Sequence, residues 1–544
     1  MAPADRPFQP GGSPTGPSHL PRGSACLNCK RRKVRCDSEK PTCGPCRASR
    51  NFDDCEYPVS GTSHTQALQD NIARLENRIR DLQSSKQASS TMTLQHPYSA
   101  GPSSARNSRS PSTAPPSPFS IPFFEEPPTD FLKYILTSFF GHSPQLGFFL
   151  DVNRYRDLFL LPKGHQSRPV SSLLYSVYLW GVHLSPGNIP PVFNEYACLT
   201  TALREISTDL SGSHPHKVVQ VLQAEILLSH YFLRNGKTVE GVYHANAAAS
   251  LAISTNLHLI RSSRAASLAR PLTPTTMMYP PVDPIEEGER IDAFWTCVIL
   301  SNYWAVVEPA QSYTFYDAEN FVIDTPWPLN DYRTETIVQG NSNTLARFVN
   351  GTGIDGFSAL ALHAKASVLL KKATEVRTQH GREPGFPVSH LDRLIEAFIS
   401  SIPALDRHGI HPSMRPRIFI MQMLGQSAMV NLHSTTIPNP DVFRGKALAA
   451  AKSIATVTTI FYSHPSSQNM DCISGILWFF GCEALLRHLS TYTGHESSIF
   501  RRDKKAIRED VQAVMSRMTI DAQCCTLVGT FLSRVQQLFT AASH

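Results

Sequence analysis

Apolar residues recur every three or four positions through most of the chain between residues 129 and 544. This spacing is typical of amphipathic helices, because it places the apolar side chains on one helical face. Patterns of alternating apolar and polar residues, which would indicate strands, are scarce in this region. The sequence therefore predicts a large all-α, multi-helix domain at 129–544. Its clearest predicted helices are 171–184, 217–233, 240–257, 289–305, 358–377, 387–402, 444–462, 473–489 and 505–540.

A second apolar pattern, with heptad spacing, occupies residues 65–83. Its members follow one another at steps of four, three, four and three residues: Leu68, Ile72, Leu75, Ile79 and Leu82. With Ile at position a and Leu at position d, the pattern predicts a short parallel two-stranded coiled coil for dimerisation. The alternative is a single amphipathic helix packed on a core. We favour the coiled coil because the residues that follow it offer no core.

Two stretches have no periodicity, namely 1–23 and the Ser/Pro-rich 84–128. Their composition predicts a disordered tail and a disordered linker.

No apolar run reaches the roughly 18–20 residues of a membrane-spanning helix, and the first 23 residues lack the apolar segment of a secretory signal. We therefore expect no membrane partner and an intracellular, reducing compartment. Cysteines in such a compartment are thiols or metal ligands rather than disulfides.

The 12 cysteines form two groups. One group is spread over the helical region in apolar patterns, which predicts buried core residues: Cys198, Cys297, Cys472, Cys482, Cys524 and Cys525. The other group has the spacing C-x2-C-x6-C-x6-C-x2-C-x8-C and consists of Cys26, Cys29, Cys36, Cys43, Cys46 and Cys55. A C-x2-C pair brings two thiolates to one metal ion. Two zinc ions would need eight thiolates, so six suffice only if two of them bridge both ions. Disulfides are not expected in a reducing compartment. Two separate mononuclear zinc sites would each have too few ligands.

Positive charge is concentrated beside this cysteine group, although the net formal charge of the whole chain is only +7. Five of the six residues between Cys29 and Cys36 are Lys or Arg. Such a one-sided cluster is typical of a surface that faces the phosphates of double-stranded DNA. The alternatives are a solvated face or a nuclear import signal, and import is compatible with DNA binding.

These residues resemble the binuclear zinc cluster of the fungal Zn2Cys6 transcription factors. The resemblance lies in Cys26-Leu-Asn-Cys29-Lys-Arg-Arg-Lys-Val-Arg-Cys36 and in Lys40-Pro-Thr-Cys43-Gly-Pro-Cys46. It implies a Zn2Cys6 DNA-binding domain at 24–57 that holds two Zn²⁺ per chain. It also implies that Cys26 and Cys43 bridge the two ions, and that Pro41 is the family's loop proline.

The same resemblance implies how the domain binds DNA. Arg32 and Lys33 occupy the positions that contact bases in CGG-type half-sites. The remaining basic residues would contact phosphates: Lys30, Arg31, Arg35, Lys40, Arg47 and Arg50. The linker at 58–64 would set the separation of two domains paired as a homodimer. The implied localisation is the nucleus, with the RNA polymerase II transcription machinery as a partner.

The helical region resembles the middle homology region of that family, a fungal-specific regulatory domain. The resemblance is carried by 224–237, 241–245, 252–258 and 289–302. The sequence departs from the family pattern at Ile291-Asp292 and at Asn302. The resemblance implies that 129–544 is an all-α regulatory domain in which a small-molecule inducer could bind between helices.

Motifs of known enzymes are absent or incomplete in this region. Gly236-Lys237-Thr238 ends like a phosphate-binding loop, but Tyr231 stands where the loop needs glycine. Gly425-Gln-Ser427-Ala-Met429 lacks the closing glycine of a nucleophile elbow. The sequence therefore favours a DNA-binding regulator that is not an enzyme. The two alternatives are a zinc-cluster scaffold protein that recognises no DNA sequence, and an enzyme with an appended zinc module, which would need a compact polar pocket in 129–544.

Overall fold

The computed structural model divides the chain into two compact units, residues 1–120 and 121–544. It describes residues 25–48, 55, 57, 127–185, 187, 190, 193–263, 278–309, 314–318, 321–337, 343–353, 355–378, 387–434, 440–464, 471–490 and 498–542. Several predictions fall outside the described residues: the tail at 1–23, the linker at 58–64, the coiled coil at 65–83, most of 84–128, and the phosphate contact of Arg50.

The first unit contains two short helices, α1 (Leu27–Arg31) and α2 (Gly44–Ala48). Cys26 caps α1, since its Sγ accepts a hydrogen bond from the backbone N–H of Cys29 at 3.4 Å. The N–H of Arg47 donates to the carbonyl of Cys43 at 2.9 Å at the start of α2. Each helix therefore begins beside a cysteine and carries the second cysteine of a C-x2-C pair.

The second unit is built of α-helices, and no strand occurs among the residues that the structure describes. This confirms the predicted all-α class. In chain order the helices are α3 (Thr129–His142), α4 (Val152–Leu158), α5 (Ser171–His183), α6 (Glu195–Ser211), α7 (Lys217–Arg234), α8 (Thr238–Ser254), α9 (Pro284–Val307), α10 (Thr344–Val349), α11 (Ala359–Thr378), α12 (Val388–Ser401), α13 (Arg415–His433), α14 (Pro440–Tyr462), α15 (Ser474–Ser490), α16 (Ser498–Asp521) and α17 (Thr526–Ala541).

Two features of this unit differ from the sequence prediction. The predicted helix at 505–540 is wrong as a single element, because the chain turns at 522–525 between α16 and α17. Helices α3, α4, α6 and α10 lie outside the clearest predicted segments, and so does α13. It packs against α11, α12, α14 and α15, so it buries apolar residues around most of its circumference and shows no single apolar face.

Helices α7, α8 and α9 approach closely at Gly241 in α8. A Cβ atom at this position would lie 2.1 Å from the indole ring of Trp304 in α9. The Trp304 Nε1–H donates to Ser229 Oγ in α7 at 2.9 Å, and the Ser229 hydroxyl donates to the Gly241 carbonyl at 2.7 Å. Glycine is therefore required here, because only a residue without a side chain leaves room for this contact.

Arg234, at the end of α7, links distant parts of the second unit. Its side chain is buried; Nε donates to His183 Nε2 at 2.9 Å, and Nη2 donates to Cys524 Sγ at 3.2 Å. The Cys525 thiol donates to the Arg234 carbonyl at 3.5 Å. Five of the six cysteines expected in the core are buried, but Cys524 is exposed. The break between α16 and α17 brings Cys524 and Cys525 into contact with Arg234.

Candidate metal centre and nucleic-acid interface

Four of the predicted ligands form a compact group of thiols. The Sγ atoms of Cys26, Cys29, Cys43 and Cys46 all lie within 4.8 Å of one another. Cys26 Sγ is 3.7 Å from that of Cys43 and 3.8 Å from that of Cys46, and Cys29 Sγ is 3.6 Å and 3.9 Å from the same two atoms. Sulfurs bound to one zinc ion at about 2.3 Å lie roughly 3.8 Å apart, whereas a disulfide needs about 2.05 Å. The geometry fits zinc ligands and excludes disulfides between these atoms.

The remaining two cysteines lie on the side of Cys43. Cys55 Sγ is 3.7 Å from Cys43 Sγ, and it accepts a hydrogen bond from the Cys43 N–H at 3.3 Å. Cys36 lies within 4.8 Å of Cys43 in a second potential metal-binding group that also contains the Asp37 carboxylate. Cys43 is therefore close to cysteines on both sides, as a bridging ligand must be. The bridging roles of Cys26 and Cys43 remain predictions.

The protonation of these thiols depends on burial and on backbone donors. Burial raises the pKa of Cys26 to about 12 and also raises that of Cys29. The pKa of Cys55 is lowered, chiefly by the hydrogen bond from the Cys43 N–H. Without a cation the thiols of Cys26 and Cys29 would keep their protons. Zinc supplies the positive charge that stabilises thiolates, so its binding must release protons.

Three residues that the sequence did not single out support the cluster. Asn28 is buried between the two cysteines of the first pair, and its amide donates to Cys46 Sγ at 3.5 Å. Asp37 accepts a hydrogen bond from the Gly44 N–H at 2.8 Å and so fixes the start of α2. Tyr57 packs against the cysteines, and its hydroxyl donates to the Glu39 carbonyl at 2.7 Å. Spacing alone could not identify them, because each acts through a contact across the loop.

The basic loop lies on the surface of this thiol cluster. All of its predicted DNA-contacting residues are exposed: Lys30, Arg31, Arg32, Lys33 and Arg35. Lys33 has a left-handed backbone with φ of 53°. Its N–H donates to the Lys30 carbonyl, and the Val34 N–H donates to the Cys29 carbonyl. This pair of bonds is the Schellman motif, which ends α1 and turns the chain away from it.

The other predicted phosphate contacts lie in the second half of the domain. Lys40 is exposed, with Nζ 5.6 Å from the centre of the Tyr57 ring, and Pro41 follows it after a cis peptide bond. Arg47 is also exposed, but its guanidinium donates to the Thr42 carbonyl at 3.0 Å and lies 3.6 Å from the Glu39 carboxylate. Arg47 therefore already stabilises the loop that would present it to DNA.

Comparison with known proteins agrees with this geometry. Residues 24–62 match the fungal Zn(2)-Cys(6) binuclear cluster domain. The chain is 28% identical over 344 residues to the notoamide biosynthesis cluster transcriptional coactivator notQ' of Aspergillus versicolor, a match that covers 59% of this chain and 60% of that protein. It is 33% identical over 94 residues to the zinc finger transcription factor YRR1 of Saccharomyces cerevisiae, which covers 15% of this chain and 12% of the relative.

The chain thus spans less than two thirds of either relative. A match of 344 residues is much longer than the cluster, so the similarity to notQ' extends into the helical region. Among the described helices, none is both long enough and apolar enough to cross a bilayer. Residues 24–62 are a fungal Zn(2)-Cys(6) binuclear cluster domain, whose six cysteines bind two zinc ions.

Proposed function

We propose that this protein is a sequence-specific DNA-binding regulator of RNA polymerase II transcription that acts in the nucleus. In this proposal the zinc cluster recognises CGG-type half-sites in the major groove, and the heptads at 65–83 pair two chains as a homodimer. The helical domain is regulatory and not catalytic. The relatives named as a transcriptional coactivator and a transcription factor support this assignment.

One observation carries the proposal: a row of exposed cations is fixed to a rigid core of buried thiols. Cys26 and Cys29 have no exposed surface, whereas the residues from Lys30 to Arg35 are all exposed. Lysine and arginine can donate to guanine O6 and N7 in the major groove. Contacts to phosphates position the protein, and contacts to base edges select the sequence. A metal core that holds both kinds of contact in one orientation suits sequence-specific recognition.

Selection from random duplex DNA by the zinc-loaded full chain tests the proposal. We expect enrichment of paired CGG triplets at one spacing, because a dimer places two clusters at a fixed separation. Single triplets would retain sequence recognition but contradict the homodimer. No enrichment, with two zinc ions confirmed per chain, would contradict the proposal and favour a scaffold protein.

We expect Lys33→Gly to weaken binding to the selected site by about 5–150-fold, equivalent to roughly 1–3 kcal/mol, and to relax the preference at one base. Glycine suits the left-handed backbone at this position, so the change removes the side chain without straining the turn. Fluorescence anisotropy with the selected duplex and with single-base variants, at one fixed salt concentration, measures both effects.

Lys40→Ala is the matched control, because Lys40 is an exposed cation in the same domain with a proposed phosphate contact. We expect it to weaken binding to all duplexes equally and to reduce the salt dependence by about one phosphate contact. If Lys33→Gly also weakened all duplexes equally, Lys33 would not contact a base.

A further inference from the structure

The helical domain contains a cavity of about 310 Å³ with a mixed lining. Its wall is contributed by α7, α9, α11 and α13 and by the loops that precede α4, α10 and α15. Apolar side chains, among them Phe148, Ile299 and Leu360, form part of the wall. Ionisable side chains form another part of the wall, among them His230, Glu289, Asp292, Arg333, His363, Arg417 and Asp471. The volume is at the lower end of the roughly 300–1,000 Å³ of small-molecule sites.

Five carboxyl groups of the described residues line the cavity; those of Asp151 and Asp331 lie 2.7 and 3.8 Å from the Arg333 guanidinium, and each of the other three accepts a hydrogen bond from the protein. Asp292 accepts from the Tyr332 hydroxyl at 2.5 Å, Asp471 from the Tyr303 hydroxyl at 3.0 Å, and Glu289 from the Asp151 N–H at 2.9 Å. Burial raises the pKa of Asp292 to about 8 and the pKa values of Asp471 and Glu289 to about 7. Asp292 is therefore mostly protonated at neutral pH, and Asp471 and Glu289 are protonated about half of the time, so burial reduces the negative charge of the cavity without removing it.

The two histidines of the cavity are neutral at the same pH. Burial lowers the pKa of His230 to about 4 and that of His363 to about 3. His363 Nε2 lies 2.6 Å from the Tyr303 hydroxyl, which ties it to the same network as Asp471. The histidines therefore add hydrogen-bonding capacity to the wall but no positive charge.

Arg417 differs from these groups because its guanidinium lacks a direct partner among the described residues. In the part of the chain that the structure describes, no residue forms a hydrogen bond or ion pair with its guanidinium. Arg333, another arginine of the cavity wall, pairs with Asp151 at 2.7 Å. Burial lowers the pKa of Arg417, and nearby Asp292 opposes this effect, but a guanidinium remains charged in proteins. An incompletely solvated cation without an acceptor is unfavourable, and an anionic ligand would relieve that cost.

We infer that this cavity binds a small organic monocarboxylic acid, whose carboxylate pairs with Arg417 and whose apolar body lies against Phe148, Ile299 and Leu360. A guanidinium can hold a carboxylate through two parallel hydrogen bonds. Ligand binding here does not depend on the proposed DNA recognition; only its consequence, a change in transcription, rests on the proposed function.

The cavity is also the kind of polar pocket that an enzyme with an appended zinc module would need. However, no Ser, Cys or Lys side chain lines it among the described residues, so a Ser, Cys or Lys nucleophile for covalent catalysis is lacking there. Asp292, Asp471 and His363 are hydrogen-bonded to the two tyrosines, and Glu289 accepts from the Asp151 N–H. The arrangement suits binding of an acid rather than its conversion.

The test uses the zinc-loaded full chain without DNA and three probes with the same two-ring body: 2-naphthoate, its neutral amide, and the cationic 2-naphthylmethylamine. Saturation-transfer NMR and calorimetry measure binding. We expect 2-naphthoate to bind and the other two to bind at least about tenfold more weakly, because only the carboxylate pairs with the guanidinium. We expect Arg417→Gln to remove this preference, whereas Arg393→Gln, at an exposed arginine of α12, preserves it.

The comparison of the three probes on the unaltered protein does not depend on whether a variant folds, and circular dichroism verifies the fold of each variant. Equal binding of acid and amide, preference for the amine, no binding of any probe, or full retention of acid binding by Arg417→Gln would each overturn the inference. Conversion of the probe to a new product would also overturn the inference and would indicate that the helical domain is an enzyme. Failure of DNA selection with normal acid binding would overturn only the proposed function.

Discussion

Removal of zinc is expected to unfold the cluster domain, abolish specific DNA binding and leave the helical domain folded. The core of the cluster consists of Cys26, Cys29, Cys36, Cys43 and Cys46, with only Ala25, Cys55 and Tyr57 packed against it. A core of so few apolar groups cannot offset the entropy of ordering the chain. Structural zinc contributes about 10–16 kcal/mol to the folding of comparable small domains.

Titration of the full chain with a zinc chelator, monitored by fluorescence anisotropy and circular dichroism, tests this expectation. We expect affinity for the selected site to fall by about a thousandfold or more, because only non-specific binding remains. The helical signal should hardly change, since α1 and α2 contribute five residues each whereas α9 alone has 24. Two equivalents of zinc should restore binding.

Single cysteine substitutions distinguish the effect of losing the metal site from other effects of the chelator. Cys43→Ser is expected to behave like the zinc-free protein even with zinc in excess. Cys524→Ser, at an exposed cysteine of the helical domain, is the matched control and should bind DNA normally. Loss of helical signal in parallel with loss of zinc would show that the helical domain depends on the metal, contrary to the expectation.

Trp295→Ala is expected to destabilise the helical domain by about 3–5 kcal/mol. Trp295 lies in α9 with no exposed surface, and its ring stacks on that of Trp327 with the ring centres 4.0 Å apart. Its Nε1–H donates to the Pro326 carbonyl at 2.8 Å. The substitution leaves a large cavity and removes the donor for this carbonyl, a large loss for a domain whose stability is typically 5–15 kcal/mol.

Urea unfolding followed by circular dichroism measures this effect as a shift of the midpoint. Trp295→Phe should cost less, because it retains most of the apolar ring but lacks the N–H group. Tyr243→Ala, at a side chain of α8 that is 66% exposed, should change stability by less than about 0.5 kcal/mol. Equal midpoints for Trp295→Ala and Tyr243→Ala would contradict the packing described for α9.

The metal centre was largely predictable from the sequence, but the cavity was not. Ligands such as Cys26 and Cys29 are close along the chain, so their spacing already limits their geometry. Asn28 and Tyr57 contribute through contacts that spacing does not reveal. The cavity brings together His230, Asp292, Arg417 and Asp471 from distant helices and loops, and only the packing of those helices makes them neighbours.

The success of helix prediction differed from one part of the helical domain to another. Helix α12, whose buried residues Leu391, Ile395 and Phe398 lie on one face, coincides closely with its predicted segment. Helix α13 has neighbours on several sides and lies outside the predicted segments. The break between α16 and α17 contains neither Gly nor Pro, so no residue there marks the turn that the contacts of Arg234 require.

The contact between Arg234 and Cys524 also has a consequence for the time course of synthesis. The two residues are 290 positions apart, and a ribosome adds about 5–20 residues per second, so roughly 15–60 s separate their synthesis. Helix α7 is buried from Val219 to Arg234 in the finished domain. Its apolar surface therefore stays incompletely covered throughout that interval. The part of α7 that packs against α17 is then left to solvent or to chaperones until α17 has been made.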